Sequence, residues 1–196
     1  YPEFTVSQDE WGFVMVEVEA GDDPSFHLKR ISRGNENEFR DNELRDEMHI
    51  RLHNEMPNTP VGIYPQGSGI DPDMLMLEAN SFQDVDGDEI MAAHFRLYEN
   101  CDTASTPTYD EFINRENWYY YENTQESIEL TSLSISSLLN GNSVYCWQAR
   151  YRDSSLGWSA WSEPLTFQTS ESQYTDNLLL NPDGELGTDH WIVTTG

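Results

Sequence analysis

The stretch Leu139–Asp153 reads Leu-Asn-Gly-Asn-Ser-Val-Tyr-Cys-Trp-Gln-Ala-Arg-Tyr-Arg-Asp. In its second half, aromatic and small apolar residues alternate with polar or charged ones. An alternation with period two and a high aromatic content is typical of a β-strand. Tyr145, Trp147 and Tyr151 would share one face of this strand, which we expect to lie in the core. Arg150 and Arg152 would share the outer face.

The residues before this strand have the form Leu139-x-Gly141-x-x-x-Tyr145. This form is typical of a tyrosine corner, in which the Tyr hydroxyl bonds to the backbone just upstream. The segment that follows the strand reads Gly157-Trp-Ser-Ala-Trp-Ser162 and contains a Trp-Ser repeat. Together these features resemble a fibronectin type III-like repeat, which implies an antiparallel β-sandwich.

The rest of the chain supports an all-β fold with strands at Trp11–Glu19, 26–31, 48–52, 74–82 and 90–98, among others. We predict a small or partial β-rich unit over residues 1–53, with a surface loop or short helix at 36–47. A linker and first strand would follow at 54–73, rich in Pro and Gly, and the sandwich at 74–169. Residues 170–196 would be a linker and a β-strand tail. This tail resembles the start of a galactose-binding-like jelly roll, and the chain is therefore expected to be part of a longer protein.

The chain is strongly acidic, with 36 Asp and Glu against 10 Lys and Arg and a net charge of −26. Such a surface repels nucleic acids and anionic membranes, so neither is expected as a partner. No run approaches the roughly 18 apolar residues of a membrane-spanning helix. The acidity favours divalent cations or solubility in salt.

Three carboxylates lie within five residues in Asp84-Val-Asp86-Gly87-Asp88. They repel one another, and a hard cation with oxygen ligands, such as Ca²⁺, would relieve that repulsion. The spacing is not that of an EF-hand, because Gly87 stands at position 4 and Phe95 at position 12. It resembles instead the B–C loop of bacterial fibronectin-like repeats, which implies calcium with Asp153 as a further ligand. The alternative is a solvated acidic turn.

Trp158 and Trp161 are predicted to lie on the strand next to the Arg150 and Arg152 face. The motif looks like the Trp-Ser-x-Trp-Ser motif of cytokine-receptor-type sandwiches. Guanidinium groups stacked between indole rings would form a cation–π ladder worth roughly 0.5–2 kcal/mol per contact. The rival interpretation is an aromatic platform for a sugar.

The two cysteines, Cys101 and Cys146, would lie near each other if the strands at 90–98 and 145–151 are antiparallel neighbours. A disulfide between them is one prediction, and two independent apolar residues the other. Strand parity argues in part against the disulfide, because Cys146 points outward whereas Cys101 extrapolates inward.

No nucleophile elbow, P-loop or Cys–His arrangement is present, so no enzyme activity is expected. The resemblance implies an extracellular or cell-surface structural or adhesion module, stiffened by Ca²⁺. Its partners would be neighbouring modules or identical subunits, with polymerisation by β-strand addition if the tail completes a neighbour's sheet. The alternative is a carbohydrate-binding accessory module of a secreted polysaccharide-degrading enzyme, with Trp118, Tyr120 and Trp191 as the glycan contacts.

Overall fold

The computed structural model describes residues 10–115, 128–135 and 139–171. In these residues all regular structure is β, and no helix could span a membrane. The strands are β1 (Trp11–Glu19), β2 (Ser25–Gly34), β3 (Phe39–Arg51), β4 (Gly62–Tyr64), β5 (Gly67–Ile70), β6 (Met76–Ala79), β7 (Ile90–Glu99), β8 (Tyr109–Asn114), β9 (Ser132–Ser134), β10 (Val144–Asp153) and β11 (Leu165–Thr169). The prediction of an all-β fold is confirmed.

The first three strands form an antiparallel sheet in the order β1-β2-β3, here called the N-terminal sheet. One face carries charged pairs across the strands: Lys29 lies 2.7 Å from Glu17, and the His27 ring lies 3.0 Å from Glu47. The register places apolar residues on the opposite face, in the rows Val16–Leu28–Met48 and Val18–Phe26–Ile50. Every residue of β1 is exposed, so none of the described residues covers the β1 part of this apolar face.

The remaining strands form two sheets, with the orders β5-β11-β10-β7-β8 and β4-β6-β9. All the pairs are antiparallel except β11 with β5. Residues of both sheets meet in one core, so the two sheets form a sandwich. Its three-stranded sheet and its larger sheet, with β10 between β7 and β11, have the strand arrangement expected of a fibronectin type III-like fold.

Strand β10 supplies the largest core side chains. Tyr145, Trp147 and Tyr151 are each at most 1% exposed, and Trp147 stacks on Phe95 of β7 with ring centroids 6.3 Å apart. The Trp147 indole N–H donates to the Pro65 carbonyl at 3.2 Å. Its polar atom is therefore satisfied although the ring is fully buried.

The tyrosine corner forms as predicted. The Asn140 backbone N–H donates to the Tyr145 hydroxyl at 3.0 Å, and Leu139 is buried against the core. This bond holds the chain just before β10. The alternation of apolar and polar residues then places Tyr145, Trp147 and Tyr151 in the core.

Two local predictions are wrong, and one strand was not predicted. The loop or short helix predicted at 36–47 is largely strand, because β3 begins at Phe39. The charged residues there lie in an exposed sheet, where cross-strand ion pairs stabilise extended backbone. Strand β8 was missed among turn-forming residues, although its Tyr109–Asn114 segment pairs along β7. Trp158 and Trp161 precede β11 rather than lie on it.

Candidate functional site

The residues Asp84–Asp88, here called the aspartate loop, lie between β6 and β7. Asp84, Asp86 and Asp88 each offer a carboxylate oxygen, and these atoms lie within 4.8 Å of one another. The Asp84 carboxylate accepts the backbone N–H groups of Asp86 at 2.8 Å and Asp88 at 3.1 Å. Gly87 has φ +78°, a left-handed conformation that favours glycine and lets the loop turn back on itself.

Two oxygens of this loop are buried without a hydrogen-bond partner, one on Asp84 and one on Asp88 (Oδ2 in both). Buried carboxylate oxygens are normally hydrogen-bonded or bound to a cation. Calcium binds oxygen at 2.3–2.6 Å, so two ligands on opposite sides of the ion lie roughly 5 Å apart. The separation of the three carboxylates is therefore within the reach of one calcium ion.

The aspartate loop also contacts the chain that leaves the N-terminal sheet. Arg51, the last residue of β3, places its guanidinium 3.9 Å from the Asp86 carboxylate and 3.8 Å from that of Asp88. It donates to the Asp86 carbonyl at 3.2 Å, and the Glu55 backbone N–H donates to the Asp86 carboxylate at 2.7 Å. The loop thus contacts Arg51 and Glu55, which lie in the connection between the N-terminal sheet and the sandwich.

Asp153, the fourth predicted ligand, ends β10 and is fully buried. Its carboxylate accepts from the Asn54 amide at 2.9 Å and from the Gly157 N–H at 2.7 Å. Burial raises its pKa, those two hydrogen bonds act to lower it, and the charges of Asp88 and Asp84 raise it further. The negative charges of the aspartate loop therefore act on the Asp153 carboxyl. Asp153 is nevertheless not one of the three carboxylates whose oxygens lie within 4.8 Å of one another.

Gly157 allows this approach. A Cβ at that position would lie 2.5 Å from the Asn54 amide nitrogen and 2.6 Å from the Asp153 carboxylate. The Asn54 side-chain oxygen is itself buried without a partner. Asn54 was not predicted as a site residue, and only its position at the start of the Pro- and Gly-rich linker could have suggested it.

The second cluster is the tryptophan–arginine ladder on the outer face of the larger sheet. Its members are Arg96, Arg150, Arg152, Trp158 and Trp161. Arg150 lies 4.3 Å from the Trp158 ring centroid and 4.6 Å from that of Trp161. Arg152 lies 5.5 Å from Trp158, and Arg96 lies 4.6 Å from Trp161. The geometry is that of the predicted cation–π stack.

His94 belongs to the same cluster and was not predicted. Its ring lies 4.9 Å from that of Trp161, and its Nδ1 accepts from Arg150 at 3.2 Å. Its Nε2–H therefore donates to the Asp110 carboxylate. Burial lowers the pKa of His94, Asp110 acts to raise it, and the charges of Arg150 and Arg96 lower it further.

The serines of the Trp-Ser repeat explain how an irregular segment lies along β10. The Ser159 hydroxyl accepts the Tyr151 N–H at 3.0 Å, and the Ser162 hydroxyl accepts the Ala149 N–H at 3.0 Å. In return, the Ser159 and Ser162 backbone N–H groups donate to the carbonyls of the same two β10 residues. Each serine thus replaces a residue of a regular strand, which places Trp158 and Trp161 over the arginines.

Because their rings stack on guanidinium groups and His94, Trp158 and Trp161 are poor candidates for a sugar platform. The predicted glycan contacts Trp118, Tyr120 and Trp191 lie outside the described residues. The same is true of the tail from residue 172 onward, with its predicted strand addition.

Cys101 and Cys146 are free thiols in the structure. The argument against a disulfide was that the two side chains would point to opposite faces of the sheet, and the structure does not support that argument. Strand β7 ends at Glu99, and Asn100 and Cys101 both have positive φ, 58° and 56°, so the alternation of β7 does not continue to Cys101.

No protein-family model matches the sequence, and no curated protein matches it either. Among solved structures, the chain is similar to the fibronectin(III)-like modules of Clostridium thermocellum CbhA, at 10% identity and a TM-score of 0.41, over 88% of this chain and 86% of that one. It is also similar to domains A168–A170 of titin, at 16% identity and a TM-score of 0.40, over 85% of this chain and 51% of that one.

Proposed function

We propose that the chain is a non-enzymatic structural module of a larger extracellular or cell-surface protein, and that a calcium ion on the aspartate loop stiffens it. The observation that supports this most directly is the position of the loop. It lies beside Arg51 and Glu55, where the N-terminal sheet connects to the sandwich. A cation there would act on the joint between the two parts of the chain.

The charges around the loop support a divalent ion. Three carboxylates within 4.8 Å of one another face a single guanidinium, that of Arg51, at 3.8–3.9 Å from two of them. Their mutual repulsion is therefore only partly offset, in a protein whose net charge is already −26. A divalent cation would neutralise the excess and would satisfy the buried oxygens of Asp84 and Asp88.

In this proposal Asp84, Asp86 and Asp88 bind the ion directly. Asp153 supplies a fourth negative charge nearby, held by Asn54 and Gly157 rather than by the ion. Extracellular calcium modules commonly bind with dissociation constants of about 10⁻⁴–10⁻³ M. An affinity in that range is the one seen in extracellular modules, and the proposed location agrees with it.

Thermal unfolding tests the proposal. We expect 10 mM CaCl₂ to raise the Tm of the wild-type chain by roughly 3–8 °C over its value in chelator, because a ligand at 10–100 times its Kd stabilises by about 1.4–2.7 kcal/mol. The Asp84→Asn/Asp88→Asn double variant should lose this shift. Glu163→Gln, which removes an exposed carboxylate outside the loop, should keep it. An equal shift in all three proteins would show a general charge effect and refute the site.

Small-angle X-ray scattering can test the stiffening of the joint separately from calcium binding. Small-angle scattering should give a narrower distribution of maximum dimensions with calcium than with chelator for the wild-type chain. Arg51→Gln should retain calcium binding, since Arg51 is not a ligand in the proposal. If calcium binds but the distribution does not change in the wild-type chain, the stiffening role fails while the metal site stands.

The proposed partners are neighbouring modules or identical subunits. Glycan binding through Trp118, Tyr120 and Trp191 remains the alternative. Glycan-array binding that is lost in Trp118→Ala and Trp191→Ala, but kept in Trp158→Ala, would favour the carbohydrate-binding module over the structural one.

A further inference from the structure

The two cysteines of the chain lie at the same end of the larger sheet, one near the start of β10 and the other just after the end of β7. Glu99 pairs with Tyr145, and Tyr98 pairs with Cys146. Cys101 follows two residues after the end of β7. On the other side of β10, Cys146 pairs with Thr166 of β11.

The turn after β7 then aims Cys101 back toward β10. The Asn100 N–H donates to the Val144 carbonyl at 2.8 Å, which holds the chain against the start of β10. The left-handed backbone of Asn100 and Cys101 reverses its direction. As a result the Cys101 sulfur lies 3.7 Å from the Thr166 hydroxyl, the residue opposite Cys146.

The two thiols meet on the outer face of the sheet. Cys146 is fully buried and Cys101 is partly exposed, and the Cys101 side chain is close enough to act on the titration of the Cys146 thiol. Burial and this contact raise the pKa of the Cys146 thiol to about 12. Cys146 is therefore a protonated, shielded thiol, and Cys101 is the sulfur that a reagent can reach.

We propose that Cys101 and Cys146 are an oxidation site at which a disulfide forms and locks the end of β7 to the start of β10. With a small-molecule disulfide such as oxidised glutathione as the oxidant, the Cys101 thiolate attacks one of its sulfurs and releases one glutathione thiolate. The Cys146 sulfur then attacks Cys101, breaks the mixed disulfide and releases the second glutathione, while its proton goes to solvent. Two protein thiols are oxidised, and one glutathione disulfide is reduced to two thiols.

This disulfide would act at the end of β10 that carries the tyrosine corner, whereas Asp153 lies at the other end, beside the aspartate loop. Cys146 immediately follows Tyr145, whose hydroxyl holds the Asn140 N–H. The covalent link would therefore lie next to the tyrosine corner and would reinforce the start of β10. It closes a long loop that includes β8 and β9, and a long closed loop is where a disulfide restricts the unfolded chain most. The inference is independent of calcium.

The test uses the full chain, reduced with dithiothreitol, freed of reductant and then exposed to a glutathione redox buffer. We expect the oxidised protein to be monomeric, to lose two hydrogen atoms by intact mass and to resist alkylation by iodoacetamide in denaturant. Its Tm should exceed that of the reduced protein by roughly 5–15 °C. Peptide mapping should recover the fragment that joins Cys101 to Cys146.

Cys101→Ser is the informative variant, because its side chain is partly exposed and the fold should tolerate the change. It should melt within a few degrees of the reduced wild-type protein and show no response to the oxidant. Cys146→Ala should accumulate a glutathione adduct on Cys101, because the second step is lost. Two alkylated thiols in the oxidised wild-type protein, a persistent glutathione adduct on it, or a disulfide-linked dimer would each overturn the proposal.

Discussion

The N-terminal sheet is antiparallel throughout, and the larger sheet of the sandwich is antiparallel except for the pair β11–β5. They differ in what covers their apolar faces. In the sandwich, Phe95, Trp147 and Tyr151 are at most 1% exposed, whereas Val16 and Val18 of β1 are 52% and 75% exposed. Strand pairing satisfies backbone hydrogen bonds in both, but only the second sheet of the sandwich removes apolar surface from water.

Strand register and the free energy of unfolding therefore depend on different interactions in the two regions. In the N-terminal sheet, register is held by backbone bonds and by partly exposed ion pairs such as Lys29–Glu17, which contribute little net free energy in water. In the sandwich, register places aromatic side chains in a closed core, where each contributes a few kcal/mol. Substitutions in the two regions should therefore differ sharply in effect.

The largest difference is expected between Trp147→Ala and Val16→Ala. Removal of the buried indole leaves a cavity against Phe95 and an unbonded Pro65 carbonyl, so the free energy of unfolding should fall by about 3–5 kcal/mol. Val16→Ala removes exposed surface and should change it by less than about 0.5 kcal/mol. Urea unfolding followed by tryptophan fluorescence measures both, and comparable losses would contradict the contrast between the regions.

The tyrosine corner is the next most sensitive point. Tyr145→Phe leaves the Asn140 N–H without its acceptor at the start of β10 and should cost about 1–3 kcal/mol. Tyr64→Phe, at a ring that is 40% exposed, serves as the control and should be nearly neutral. The denaturant midpoints of the two variants measure these losses. If Tyr145→Phe does not lower the midpoint, core packing without the corner is enough to hold the start of β10.

A somewhat smaller loss is expected from Ser162→Ala, roughly 1–2 kcal/mol. The change leaves the buried Ala149 N–H without its acceptor and loosens the segment that carries Trp161. Ser68→Ala, on the exposed part of β5, is the matched control. Chemical unfolding should separate the two, and hydrogen exchange at the Ala149 amide should quicken only in Ser162→Ala; an unchanged amide would contradict the assigned role of the serine.

The smallest effect concerns pH. The pKa of His94 is lower in the folded protein than its ordinary value of 6.5, chiefly because the ring is buried. The unfolded chain therefore binds the proton more readily, so this contribution to stability is present above pH 6.5 and is lost as pH falls below it. His94→Gln should flatten the dependence of Tm on pH between 7.5 and 5.5. If the dependence of Tm on pH is the same in His94→Gln as in the wild-type chain, other titratable groups cause it.

Much of the sandwich could be predicted because its signals are local. Alternation in β10 places Tyr145 and Trp147 in the core, and the spacing of the aspartate loop brings its three carboxylates together. The part of β3 before Met48 could not be predicted in the same way, since its charged residues find their partners on β2, such as the His27 ring 3.0 Å from the Glu47 carboxylate. Pairing across strands is invisible in the sequence of one strand.

In the candidate sites, too, the contacts between residues of different strands could not be predicted from the sequence. Arg150 and Trp158 were paired by strand parity, but His94 and Asp110 come from other strands and entered only with the three-dimensional arrangement. Asn54 lies far from Asp153 in sequence, and its contact depends on the absence of a side chain at Gly157. The prediction that the Cys101 side chain points inward relied on the alternation of β7 continuing past Glu99, where the strand ends.

Calcium titration by isothermal calorimetry tests the central claim most directly. We expect the wild-type chain to bind one Ca²⁺ with a Kd of about 10⁻⁴–10⁻³ M. The Asp84→Asn/Asp88→Asn variant should show no saturable binding, whereas Glu163→Gln should bind as the wild type does. Saturable binding that survives the double substitution, or none in the wild-type chain, would contradict a calcium site on the aspartate loop.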